Sequence, residues 1–158
     1  MKIIKLLISD EVKEKLENRQ VLVENIQKVI SRAEKTGDSL INRETGHLLV
    51  CNREINVTFW VEYGVQEDGY VIYNAYSHRM EIGLNSDAKT TLEGAKPESP
   101  WHCAKCDRPL KPEPIVVYYL RYDFPVNMLK CQACDFVLVT EELALGKMAE
   151  VEQLLEDK

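Results

Sequence analysis

Cys103-Ala104-Lys105-Cys106 and Cys131-Gln132-Ala133-Cys134 are two Cys-x-x-Cys pairs separated by 24 residues. A two-residue spacer lets a tight turn point both sulfurs at one ion. Two such turns joined by a β-hairpin supply four sulfurs in a tetrahedron, the arrangement Zn²⁺ takes with Zn–S near ~2.3 Å. In a reducing compartment such pairs read as a metal site before they read as disulfides. The spacing therefore assigns Cys103, Cys106, Cys131 and Cys134 as metal ligands. Zinc is the first choice of metal, iron the second, and a reversible dithiol pair the third. Between the pairs, Ile115–Arg121 is rich in β-branched and aromatic residues and reads as a strand, Asp123-Phe124-Pro125 as a turn, and Val126–Lys130 as the return. Phe136–Val139 leads out, and Thr140 with Glu141 and Glu142 starts a terminal helix.

Asp107 and Asp135 follow the second cysteine of each pair. Glycine at that point of an iron-binding knuckle permits a positive φ and brings backbone N–H groups to the sulfur. Aspartate visits that conformation at greater cost. Two carboxylates beside four thiolates also oppose the extra negative charge of a reduced iron. His102 adjoins the site but is not needed to complete it, and Cys51, alone in an apolar run, reads as a small core residue.

Upstream, residues 84–100 carry two prolines, a glycine and many small polar residues without period, a linker composition. The chain thus divides into a first block, 1–83, a linker, 84–100, and a second block, 101–158. In the first block a short strand over Lys2–Ile8 precedes Ser9, an N-cap for a short helix ending near Leu16–Asn18. Val23, Ile26, Val29, Ile30 and Ala33 form the apolar face of a second helix that Gly37 ends. Strands follow over His47–Asn52, Asn56–Val65 and Tyr70–Ser77, the last two joined by a turn at Gln66-Glu67-Asp68-Gly69. The expected fold is α+β: two helices on an antiparallel meander, then a four-cysteine ribbon with a terminal helix.

The whole chain has 158 residues, 45% of them apolar, and a net charge of −6. That balance argues against wholesale binding to nucleic acid. No apolar run approaches the ~20 residues needed to span a bilayer, and Ile3–Ile8 is too short for a signal-peptide core, so the expected location is the cytoplasm. No nucleophile–base pair, phosphate loop or dinucleotide fingerprint appears.

The second block resembles zinc-ribbon and rubredoxin-like domains in its two knuckles and hairpin. The tail from Cys131 to Glu152 looks like a family of small bacterial redox proteins found with molybdenum-dependent aldehyde oxidoreductases. The resemblance implies a cysteine-bound metal and an oxidoreductase subunit as protein partner. The first block is similar in outline to RelE-like and BrnT-like domains, through the Ile26–Ile30 helix, the Glu44-Thr45-Gly46-His47 turn and the strand ending Tyr73-Asn74-Ala75-Tyr76. That similarity implies an RNA-directed alternative in which His78, Arg79, Arg53 and Tyr76 handle protons and phosphate. With 11 basic against 13 acidic side chains, the first block is poorly charged for that task. The expected function is a non-catalytic, metal-stabilised accessory or adaptor protein. A one-electron carrier with iron in the same site is the alternative. The aromatic run Phe59, Trp60, Tyr63, Tyr70, Tyr73 and Tyr76 reads as packing before it reads as a base-stacking platform. The terminal helix either docks a partner or covers the ribbon's open face.

Overall fold

Ser9 opens the first helix because its hydroxyl accepts the Val12 amide at 3.2 Å, one of the N–H groups a helix start leaves unpaired. In the computed structural model, which describes residues 5–83 and 99–156, that helix, α1, spans Asp10–Asn18. The second, α2, spans Val23–Thr36 and ends at Gly37, whose φ of 79° is the left-handed conformation glycine adopts at little cost. Its periodic residues Ile26, Val29, Ile30 and Ala33 are buried. The expected linker lies, but for its last two residues, outside the described residues.

The strands of the first block are β1 (Leu6–Leu7), β2 (Leu40–Asn42), β3 (Leu48–Glu54), β4 (Val57–Gln66), β5 (Gly69–His78) and β6 (Glu81–Gly83). The second block adds β7 (Trp101–Cys103), β8 (Arg108–Pro109), β9 (Lys111–Tyr119), β10 (Tyr122–Lys130) and β11 (Val137–Leu138). The meander β3–β4–β5 is antiparallel, and β1 runs parallel to β5 at its edge. On the other side β2 pairs with β3, and then β7 pairs with β2, placing Cys103 opposite Leu40. The larger sheet therefore has the order β1-β5-β4-β3-β2-β7-β8 and draws strands from both blocks. The smaller sheet, β11-β10-β9-β6, does the same through β6.

Three layers result. Helices α1 and α2 cover one face of the larger sheet, burying Val50, Val61, Tyr63, Ile72 and Ala75. The other face meets the smaller sheet and the terminal helix across Leu49, Trp60, Tyr76, Ile115, Met128 and Met148. Strand β4 is thus buried on both sides, which explains why Trp60 on its second face is as enclosed as Val61 on its first.

The structure corrects the turn expected at Asp123-Phe124-Pro125: these residues lie inside β10, and the chain reverses at Leu120-Arg121. The prolines mislead because a ladder excludes them only where both sides are paired. Pro112 and Pro114 fall outside the part of β9 that β6 pairs, and Pro125 outside the part of β10 that β11 pairs. Their missing N–H groups can face a side with no neighbour.

Two of the three two-residue hairpins place a bulky residue in the left-handed region, Ile55 at φ 52° and Leu120 at φ 56°. Ile55 is 94% exposed and Leu120 65%, so neither recovers the steric cost by burial. A β-branched side chain there costs on the order of 1–2 kcal/mol. Ile55→Gly is therefore expected to raise stability by about 1 kcal/mol, after the entropy penalty of glycine. Urea unfolding of the metal-loaded protein checks this; an unchanged or lower midpoint would show that the turn is not strained.

The terminal helical stretch starts at Thr140, whose hydroxyl accepts the Leu143 amide at 3.2 Å. It runs through α3 (Glu141–Leu143), a π-helical turn over Ala144–Met148, and α4 (Ala149–Glu156). It covers the smaller sheet within the chain through Leu143, Met148 and Val151. Glu152 is buried and its Oε2 accepts the amides of Arg79 (2.9 Å) and Met80 (3.0 Å), tying α4 to the end of β5.

Candidate metal centre

Each cysteine pair is set by a turn whose backbone is already committed. Cys103 ends β7, and the Ala104 amide donates to the Ser39 carbonyl at 2.9 Å. The Cys131 amide donates to the Phe136 carbonyl, and the Asp135 amide donates back to the Cys131 carbonyl, both at 2.9 Å. Asp107 (φ 53°) and Asp135 (φ 66°) both adopt the left-handed conformation. Aspartate is among the few non-glycine residues that visit it routinely. Each aspartate also meets a cation, Asp107 at Arg43 (2.7 Å) and Asp135 at Lys130 (3.2 Å). The Arg43 pair is exposed and worth little alone, whereas Lys130 is half-buried and shared with Glu113 at 2.8 Å.

The four sulfurs converge at 3.6–3.9 Å from one another. A tetrahedron of thiolates around an ion at ~2.3 Å has edges of about 3.8 Å, so the spacing fits one metal ion. It does not fit disulfides, whose sulfurs stand about 2 Å apart; Cys103 and Cys134 are 3.6 Å apart. Cys103 and Cys131 are fully buried, while Cys106 and Cys134 are half-buried.

The thiols are held unequally. Burial pushes Cys103 up to about 12, against a lowering hydrogen bond from the Cys106 amide. Burial raises Cys131 as well, but the Cys134 and Ala133 amides and the neighbouring thiols outweigh it and bring Cys131 down to about 7. A cation in the centre would take the place of the protons on these thiols. These four residues could hold the metal. Among the described residues they are the one group of three or more potential ligands brought close enough to do so.

Residues 99–158 match the family model described as a domain of unknown function, DUF7479. That stretch holds all four cysteines, the hairpin and the terminal helix. No curated protein and no solved structure matches the chain. No described helix is long and apolar enough to cross a membrane.

The other sequence candidates lie elsewhere. His102 stays out of the cluster; its Nδ1 lies 3.3 Å from the Pro100 carbonyl. Cys51 is half-buried in β3, its thiol pushed up to about 12 by burial, which keeps it protonated and unreactive at neutral pH. Tyr76 is buried and donates its hydroxyl to the Val139 carbonyl at 2.7 Å. His78 is 2% exposed, and both ring nitrogens are occupied by Trp60 Nε1 (3.0 Å) and the Met80 carbonyl (2.8 Å). The Arg53 guanidinium donates to Thr58 Oγ1 and the Met80 and Arg79 carbonyls, while Arg79 pairs with Glu156. The set drawn for phosphate and proton handling is spent on internal hydrogen bonds. Of the aromatic run, Trp60, Tyr63 and Tyr76 are buried, Trp60 stacking on Tyr76 at 6.2 Å.

Proposed function

We propose that the chain is a zinc-stabilised accessory protein that docks on a redox enzyme, its metal holding both knuckles and the hairpin rigid. The observation that carries the metal half is the closure of four thiol sulfurs, two of them fully buried, to tetrahedral spacing. Four thiolates close the coordination sphere and leave no position for substrate or water, which suits a structural ion. Carboxylates at Asp107 and Asp135 add negative charge beside the thiolates and favour an ion that does not change oxidation state. The partner half rests on the resemblance of the second block to small redox proteins that accompany aldehyde oxidoreductases.

One observation favours iron and electron transfer instead. Backbone N–H groups of Ala133 and Cys134 point at the Cys131 sulfur, and such hydrogen bonds stabilise the reduced state of an iron–thiolate centre. Anaerobic purification without added metal separates the two. About one zinc per chain and no visible absorption is the expected result. About one iron, with thiolate-to-iron absorption that bleaches on reduction, would replace zinc by iron and the clip by a carrier. For the docking half, a native pull-down is expected to recover an oxidoreductase subunit; recovery of none would remove it.

A further inference from the structure

We propose that the face carrying the Ile55-Asn56 and Leu120-Arg121 turns pairs with the same face of a second copy of this chain, each Leu120 tip seated in the cleft of the other copy. Both turns hold a bulky apolar residue at positive φ and present it to solvent. The third two-residue hairpin, at Glu67-Asp68, turns on polar residues, and Gly69 carries its positive φ. The chain can therefore make such a turn without that cost. Strain retained at an exposed apolar side chain points to a contact made outside the fold. The two turns come from different blocks, yet they border one cleft of about 600 Å³. Asn56 and Val57 line it from the first, and Tyr118, Tyr119 and Leu120 from the second.

The charge pattern selects a second copy as the occupant. The chain carries a net −6, so two copies repel at long range. Around the cleft the signs balance. Arg53 and Arg79 line it with Glu81, and Glu156 pairs with Arg79. Arg121 stands on the tip, and Asp123 lies across β9 and β10 from Tyr118. Glu54, beside the first turn, is held by Lys28 at 3.7 Å. Among the described residues, Arg121 on the tip and Glu81 in the cleft have no ion pair. A two-fold axis brings the tip of each copy to the cleft of the other. Leu120 then meets the apolar wall of Val57 and Tyr118, and Arg121 meets Glu81 of the second copy, twice over. A tip and a cleft side by side on one charge-balanced face are the self-complementary surface that such pairing needs.

Sedimentation of the metal-loaded full chain at concentrations up to about 1 mM tests this, since two turn tips and a cleft make a small interface. The expected result is a reversible monomer–dimer equilibrium with Kd on the order of 10–100 μM. Leu120→Gly removes the side chain and its strain together, so the variant should fold, and it should weaken pairing by about tenfold or more. Arg121→Glu and Glu81→Arg should each weaken pairing by about tenfold, and the double variant should return to within about threefold of the parent. A parent chain that stays monomeric over the whole range would overturn the proposal and leave the face to a different protein. So would a dimer that Leu120→Gly leaves intact, or a double charge reversal that pairs no better than either single variant.

Discussion

Cys103→Ser is expected to abolish stoichiometric metal binding and lower the thermal midpoint by more than about 10 °C. A structural zinc contributes on the order of 10 kcal/mol of folding free energy at neutral pH, against a typical total near ~5–15 kcal/mol. Loss of one of four thiolates removes most of that term and leaves three buried or half-buried thiols without their ion. The effect should not stop at the knuckle. Cys103 lies opposite Leu40 in the β2–β7 ladder, and the next amide, Ala104, donates to Ser39. Hydrogen exchange is therefore expected to rise at Leu40–Asn42, about sixty residues upstream, as well as at the second knuckle. Cys51→Ser is the matched control: it changes a half-buried thiol in β3 outside the cluster and should leave metal content unchanged. A Cys103→Ser protein that keeps one metal per chain and its midpoint would show that the four sulfurs are not the ligand set.

That reach into the first block was not legible in the sequence. Period-2 alternation and helical periodicity read local structure well: Ser9, Gly37 and Thr140 stand at the helix ends expected of them, and β3, β4 and β5 lie within two residues of their expected bounds. Four short strands carry no such period. β2, β6, β7 and β8 have two or three residues each; β2, β6 and β7 each pair with a strand of the other block, and β8 is held by β7. A hint was present in β4, where Trp60 sits on the face that alternation leaves for solvent; a large aromatic there signals a second covering layer. The four-cysteine site was legible because its chemistry depends on spacing along the chain.

The terminal helix shows a different limit. Regular 3.6-residue spacing predicts that Leu154 joins Leu143, Met148 and Val151 on one face. Instead Leu154 is exposed and Glu152 is buried. The π-helical turn over Ala144–Met148 is wider than an α-turn and rotates less per residue, so the inward face slips along the sequence. The carboxylate it delivers inside meets two backbone amides of the β5–β6 connection. No hydrophobic pattern encodes that pairing.

A loss of roughly 3 kcal/mol of stability between about pH 6.5 and pH 4 is the second large effect expected, and it belongs to His78. Burial lowers this imidazole from 6.5 to about 4, with Arg53 pushing the same way and the Met80 carbonyl resisting. A histidine whose folded pKa lies below its unfolded value takes up a proton on unfolding. Its contribution is therefore complete above pH 6.5 and is lost as pH falls toward 4. The geometry gives the reason. Nδ1–H donates to Met80, and Nε2 must stay bare to accept the Trp60 indole N–H, so protonation sets two donors against each other in a dry interior. Urea unfolding at several pH values, with metal content measured at each because thiolates also protonate, tests this. His78→Asn keeps a donor for Met80 and leaves the indole unpaired, so it should cost about 1–3 kcal/mol at pH 7 and flatten the slope between pH 6.5 and 4. An unaltered slope in that variant would place the acid sensitivity at the thiolates instead. A flattened one would establish that His78 is a neutral, structural imidazole.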